Sequence, residues 1–213
     1  MRPPADWRRA KATLALAGLS TLVWAVSAGL DVSNIAAVWG GFIPHRVEGL
    51  AGDEALAPVF LTPLTSAFIH AGFVHLAFNM LILLFCGRAV ENILGMGAIL
   101  TLYLTGAYAA AGVHYLLDPA DLTPMVGASG AIAAVLGTYA MLFGRNRVKI
   151  ANPTVALWVN AVWLAAAWIG LQILLGLTFT TAGAKLAVGA HIGGFLAGLL
   201  LAKPLLLFRY RKA

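Results

Sequence analysis

Six long apolar stretches, separated by short segments that carry most of the charge, dominate this chain of 213 residues. They cover about 12–30, 68–90, 97–117, 126–143, 154–177 and 184–208. Each is close to the roughly 20 residues that a helix needs to cross a bilayer. Because lipid offers the backbone no hydrogen-bond partner, each must be a helix or part of a closed barrel. Continuous apolar runs without strand-like alternation favour helices. The pattern predicts an all-α polytopic membrane protein with six transmembrane helices.

Composition excludes the main alternatives. The chain is 61% hydrophobic and only 10% charged, whereas soluble domains carry about 25% charged residues. A disordered chain needs low hydrophobicity and many charges, so it is excluded as well. The single cysteine, Cys86, rules out an intramolecular disulfide and a cysteine-based structural zinc site. The length of the chain predicts a single membrane domain that covers residues 1–213.

The charged residues predict the orientation of the helices. Twelve of the 14 Lys and Arg residues fall on one side of this topology: Arg2, Arg8, Arg9, Lys11, Arg88, Arg145, Arg147, Lys149, Lys203, Arg209, Arg211 and Lys212. Six of the eight acids fall on the other: Asp31, Glu48, Asp53, Glu54, Asp118 and Asp121. The positive-inside rule therefore places both termini in the cytoplasm, in agreement with an even number of spans. The net charge of +6 then reflects topology, and no nucleic-acid partner is expected. The charge bias favours a bacterial inner membrane over an organelle.

The longest segment on the non-cytoplasmic side, 31–67, joins the first two spans. It mixes acids with apolar residues such as Trp39, Phe42 and Phe60. This mixture predicts a loop that lies partly in the membrane interface and is not a solvated linker.

Five polar residues lie where a bilayer makes them costly, and such residues are functional candidates by default. They are His70, His75, Asn79, Ser129 and His191, in the second, fourth and sixth spans. With a rise of 1.5 Å per residue, Ser129 lies about 8 Å below Pro124, five residues earlier, and His191 about 9 Å below Lys185, six residues earlier. His75 and Asn79 lie roughly 10–16 Å below Phe68, seven and eleven residues earlier. We therefore expect these groups in one layer on the non-cytoplasmic side.

Spacing adds direction to this layer. His75 and Asn79 are four residues apart and share a helix face. A small-residue pair, Gly194 and Gly198, follows His191 on one face of the sixth span and permits close helix approach. Such an approach would let the Ser129 hydroxyl meet the His191 imidazole.

This set of residues is typical of nucleophilic catalysis. A serine hydroxyl becomes a useful nucleophile when an adjacent base, most often histidine, takes its proton. The oxyanion that then forms needs hydrogen-bond donors, which Asn79, His75 and the backbone N–H near Ser129 are able to supply. No acid lies at this depth, since Glu91 is near the cytoplasmic end of its span. The sequence predicts a Ser–His dyad, not a triad.

Four motifs together resemble the rhomboid intramembrane serine proteases. They read HAGFVHLAFN at 70–79, GRAVE at 87–91, GASG at 127–130, and AHIGG at 190–194 followed by Gly198. The resemblance implies the minimal six-helix bundle, with 31–67 as its membrane-embedded first loop. It implies Ser129 as nucleophile, His191 as general base, and Asn79, His75 and Gly127 on the oxyanion and substrate side. Substrates would be single-span membrane proteins cut near the outer end of their helix, at small residues. No metal or cofactor is implied.

Two positions depart from the family pattern. A Trp-Arg pair is common in the first loop of the family, where this chain has Leu61 and Thr62. Some members carry an aromatic residue one turn after the nucleophile, where this chain has Ala133. Support for His191 is therefore missing or comes from elsewhere.

Three other functions are compatible with parts of this pattern. A catalytically silent rhomboid-like chaperone or scaffold has no need of an intact Ser129 and His191 pair. A haem-binding electron carrier would use His75, His114 or His191 as axial ligands. A transporter would more typically show paired, broken spans around a midplane site.

Overall fold

The structure is a computed structural model that describes residues 6–49, 56–144, 152–181 and 187–211. These residues form helices and connecting loops, and none of them forms a β-strand. The helices are α1 (Lys11–Gly29), α2 (Ser33–Gly40), α3 (Thr62–Ser66), α4 (Phe73–Ile82), α5 (Arg88–Leu94), α6 (Met96–Leu117), α7 (Ser129–Phe143), α8 (Pro153–Thr181) and α9 (Val188–Arg209). The expectation of an all-helical fold is confirmed for this part of the chain.

Four of the described helical segments are long and apolar enough to cross a membrane: Lys11–Gly29, Phe73–Leu94, Met96–Leu117 and Val188–Arg209. The second joins α4 and α5 through one wider turn, Leu83–Gly87. Two shorter segments, Ser129–Phe143 and Trp158–Gly170, are also apolar. Large apolar side chains on the outer faces, among them Leu22, Phe78, Leu81, Trp163 and Leu200, are more than half exposed. Soluble monomers rarely expose so much apolar surface, and this distribution suits contact with lipid.

Helices α6, α7 and α9 form the centre of the bundle, and small residues bring their backbones together. A Cβ atom on Gly194 would collide with the backbone oxygen of Gly130, and one on Gly198 with that of Ala134. The hydroxyl of Thr138 donates a hydrogen bond to the Gly198 oxygen at 2.8 Å. The close approach predicted for the Gly194 and Gly198 pair is therefore present between α7 and α9.

Two helices begin later than the hydropathy pattern predicts. The stretch at 68–90 becomes helical only at Phe73, because residues 67–69 form tight turns that bond three residues back. The stretch at 126–143 becomes helical only at Ser129. Its first residues bond elsewhere, since the Gly127 N–H donates to the Ser66 oxygen at 2.9 Å. Apolar character continues through both turns, which explains why hydropathy alone does not locate these starts.

The described part of the loop at 31–67 contains α2, α3 and two short 3₁₀ turns, and it packs against the bundle. Phe42 and Met125 exchange two backbone hydrogen bonds, at 3.0 and 2.8 Å. Arg46 is buried and donates from Nη2 to the Ala57 oxygen at 2.9 Å. Thr62, at the place of the family's arginine, is also buried and bonds to the Val59 oxygen. Arg46 is one of the two basic residues that the charge pattern leaves on the non-cytoplasmic side, and the structure buries it within the loop.

Several predicted features fall outside the described residues. They are the charged residues Arg2, Asp53, Glu54, Arg145, Arg147, Lys149, Lys185 and Lys212, part of the loop at 50–55, and the predicted start of the last span at 184.

Candidate active site

Ser129 and His191 come together at the ends of two neighbouring helices. Ser129 is the first residue of α7, and His191 lies in the first turn of α9. The Nε2 atom of His191 lies 2.8 Å from Oγ of Ser129, which is hydrogen-bond distance. The close packing of α7 on α9 holds the two side chains at this separation.

Both residues line a cavity of about 420 Å³. Its wall also includes Asn79, His75 and Gly127, so all five residues predicted for the site face one space. Their positions along the helices differ from the depth estimate, because the later helix starts place Ser129, His75 and His191 all within the first turn. The shared layer arises from helix ends meeting at one level and not from equal descent along longer helices.

The start of α7 offers backbone donors beside the Ser129 hydroxyl. The first N–H groups of an α-helix have no acceptor within the helix, and in α7 these begin with Ser129 itself. The first hydrogen bond to the Ala128 oxygen comes from the N–H of Ile132, at 2.8 Å. The helix end therefore places N–H groups and the positive end of the helix dipole beside the hydroxyl, where they would stabilise a negative charge.

Asn79 contributes a side-chain amide to the cavity wall. Its Nδ2 donates to the His75 backbone oxygen, one turn earlier in α4, at 2.9 Å. An amide nitrogen carries two N–H groups, so this bond orients the amide and leaves its second N–H as a donor.

His75 packs directly against Gly127. A Cβ atom on Gly127 would lie 2.5 Å from Cε1 of the His75 ring. Gly127 also has a φ of +116°, which residues with a Cβ adopt only under strain. Glycine is therefore required at this position on two counts, and the ring of His75 is fixed beside the turn that leads into Ser129.

His70, which the sequence leaves open as site support or interface anchor, supports the same turn. It is fully buried in the segment before α4, and its Nε2 accepts a hydrogen bond from the Ala128 N–H at 3.4 Å. Because Nε2 accepts, the proton is on Nδ1, which lies 3.2 Å from the Phe68 oxygen. Burial, with a contribution from the neighbouring His75, lowers the pKa of His70 from 6.5 to about 4. His70 is thus a neutral histidine that supports the peptide before Ser129.

The acids of the described residues lie elsewhere. No Asp or Glu lines the cavity among the residues that the structure describes. Asp121 lies 3.7 Å from Nε2 of His114, and this pair links the end of α6 to the following loop. Glu91 is buried at the start of α1, about 18 Å along the helix from Asn79. Sequence reasoning missed its role there, because hydropathy does not show which helix end a buried carboxylate will meet.

Within the described ranges, no group of three or more His, Cys, Asp and Glu side chains is placed to hold a metal ion. Cys86 is a free, buried thiol away from the cavity wall.

Comparison with known proteins supports the resemblance that the sequence motifs indicate. The family model of the rhomboid domain matches residues 59–208. RHOMBOID-like protein 4 of Arabidopsis thaliana is 31% identical over 90% of this chain and 41% of its own length. Rhomboid protease GluP of Bacillus subtilis is 32% identical over 67% of this chain and 25% of its own length. Rhomboid protein 1, mitochondrial, of Saccharomyces cerevisiae is 33% identical over 63% of this chain and 39% of its own length. The chain thus spans less than half the length of each of these relatives.

Proposed function

Because this chain belongs to the rhomboid family, we propose that it is an intramembrane serine endopeptidase in which Ser129 is the nucleophile and His191 the general base. The observation that carries this proposal is the 2.8 Å separation of Ser129 Oγ and His191 Nε2 inside a cavity. Relatives named as rhomboid proteases support the same class of reaction.

The reaction begins when Ser129 Oγ attacks the carbonyl carbon of the scissile peptide bond. His191 Nε2 takes the hydroxyl proton as the bond forms, so the nucleophile is never a free alkoxide. The tetrahedral intermediate collapses when His191 returns that proton to the leaving amine, which leaves an acyl-enzyme on Ser129. A water molecule, deprotonated by His191, then hydrolyses the ester and restores both residues.

The oxyanion of the intermediate faces donors from two elements. The backbone N–H groups at the start of α7 lie beside the nucleophile, and α4 supplies the Asn79 amide and the His75 ring. Gly127 keeps the approach open, since a side chain there would meet His75. Donors fixed in advance need no reorganisation as charge develops, and each is worth a large factor in rate.

The substrates we propose are single-span membrane proteins, cut near the non-cytoplasmic end of their helix at small residues. The cavity is lined largely by alanine, glycine and other short side chains near Ser129, which suits a small residue at the cleavage point. Replacing the small residue of a cleaved model substrate by Phe, with Ala as the control, tests this preference.

We further propose that the chain lies in a bacterial inner membrane with both termini in the cytoplasm. Support comes from the bias of Lys and Arg to one side, although the relatives also include plant and yeast proteins. Labelling of intact cells with a membrane-impermeant maleimide tests the orientation. Arg8→Cys should stay unlabelled and Val47→Cys should react, with the buried native Cys86 as background.

Fluorophosphonate labelling of the purified protein tests the dyad. Wild type should be labelled, whereas Ser129→Ala and His191→Ala should not, because one lacks the nucleophile and the other its base. A rhomboid of known activity serves as the positive control. An unlabelled but folded wild type would favour the alternative, a catalytically silent membrane chaperone or scaffold.

A further inference from the structure

In a catalytic triad a carboxylate orients the histidine that acts as the general base. Nε2 of His191 is directed at Ser129, and the described part of the cavity wall contains no acid. An imidazole that must take a proton from a defined direction still has to be held in place, since small displacements of a base reduce its efficiency.

Trp168 of α8 contacts the backbone of this histidine. Its indole Nε1–H donates a hydrogen bond to the carbonyl oxygen of His191 at 3.2 Å. In a helix that oxygen already accepts the N–H four residues later, and a carbonyl has a second lone pair for another donor. Trp168 therefore adds a bond to the turn that carries the base without displacing a helical one.

The same indole also packs against the other end of that turn. Trp168 stacks on Phe195, four residues after His191, with ring centroids 5.1 Å apart and planes inclined by 17°. Phe195 is buried, so the stacked pair is anchored in the bundle. Aromatic pairs of this kind contribute beyond the area that they bury. A hydrogen bond at residue 191 and a ring stack at residue 195 together fix one helical turn.

The small side chain of Ala133 leaves space for the stacked rings of Trp168 and Phe195. It lies one turn after Ser129 on α7 and is buried together with Phe195 and Leu199, and Trp168 packs against this cluster. In the family pattern described above, some members carry an aromatic residue at the position of Ala133. Here the aromatic support comes from α8.

On the basis of the proposed function, we propose that Trp168 is a positioning residue for His191. It acts through the backbone of the turn 191–195, by its N–H donor and its stack on Phe195, and it compensates for the small side chain of Ala133. Trp168 touches no reacting atom, so its loss changes how often the imidazole is aligned with Ser129 and not the chemistry of either group.

The test is the rate of fluorophosphonate labelling in wild type, Trp168→Phe and Trp163→Phe. Phenylalanine retains a ring at residue 168 but removes the N–H donor. Trp163 lies on the same helix and is 67% exposed, which makes it a matched control. The rate constant for reaching the labelling plateau reports the reactivity of competent sites, whereas the plateau height reports how much protein is folded. A purely structural role would therefore lower only the plateau.

We expect Trp168→Phe to lower the rate constant about 3- to 10-fold, the range for loss of one neutral hydrogen bond. In cleavage assays kcat should fall by a similar factor with KM unchanged. Trp163→Phe should match wild type in both. A wild-type rate constant in Trp168→Phe, or an equal loss in Trp163→Phe, would overturn the positioning role while leaving the proposed function intact. Failure of folded wild type to label would instead refute the proposed function, and the role of Trp168 with it.

Discussion

The backbone N–H of Ala128 donates to Nε2 of His70 at 3.4 Å, one residue before Ser129. His70 belongs to the segment before α4, whereas Ala128 immediately precedes α7. This bond therefore links two separate loops beneath the candidate nucleophile. It requires an uncharged ring, because only a neutral imidazole nitrogen has a lone pair to accept with.

The pH dependence of stability should report this bond. Burial and the nearby His75 lower the pKa of His70 from 6.5 to about 4 in the folded protein, whereas in the unfolded chain it stays near 6.5. Above pH 6.5 the His70 ring is neutral in both the folded and the unfolded state, so its full contribution to the stability of the folded protein is present. Between pH 6.5 and 4 only the unfolded state takes up the proton, so stability falls by at most about 1.4 kcal/mol per pH unit. Thermal unfolding of wild type and His70→Gln measures this.

The difference in Tm between wild type and His70→Gln should therefore shrink as the pH falls from 6.5 to 4, because glutamine does not titrate. Parallel Tm curves over that range would show that His70 is not the group responsible.

The sequence identifies the residues that come together in this region better than it predicts their geometry. Ser129 and His191 are evident because polar residues are costly in apolar stretches and because glycines mark a close helix contact. The later start of α7 is not evident, because it depends on bonds from 125–127 to Phe42 and Ser66, which are far away in the chain. Trp168 is hidden for a similar reason. An aromatic residue in an apolar span carries no signal that its N–H meets the backbone of another helix.

Gly127→Ala should strongly impair both folding and activity. The added methyl group would lie 2.5 Å from the His75 ring at a φ of +116°, so it meets a steric clash and backbone strain together. We expect a loss of about 2–4 kcal/mol in unfolding free energy and at least a tenfold lower labelling rate constant. Gly112→Ala is the control, because that glycine is in α6 with nothing within 4 Å. It should match or exceed wild-type stability.

Adding His75→Ala to Gly127→Ala should return part of the lost stability, since it removes the clash but not the strained φ. If Gly127→Ala alone were as stable and as reactive as Gly112→Ala, this result would contradict the tight packing of His75 on this turn.

Gly198→Ala should separate α7 from α9. A Cβ at this position would overlap the backbone oxygen of Ala134, which cannot move aside as a flexible side chain does. We expect a lower Tm and, because the same helices carry Ser129 and His191, a lower labelling rate constant in the protein that remains folded. Gly97→Ala, with nothing within 4 Å of its added methyl, is the matched substitution. A lower Tm with an unchanged rate constant would show that the spacing at Gly198 does not reach the dyad.

Glu91 offers the opposite case, in which stability should change and the reactivity of folded protein should not. Its carboxylate accepts the N–H groups of Ala12 and Thr13, at 2.9 and 2.8 Å, and the Thr13 hydroxyl at 2.7 Å. Negative charge at a helix N-terminus is favourable, and a buried donor that loses its acceptor costs about 1–3 kcal/mol. Glu91→Gln keeps one oxygen but turns an N–H towards these donors, so Tm should fall clearly. Thr13→Val removes one hydroxyl and should cost less. Because this site is remote from Ser129, the labelling rate constant should stay at the wild-type value in both variants. A slower rate in Glu91→Gln alone would show that loss of this carboxylate alters the candidate active site.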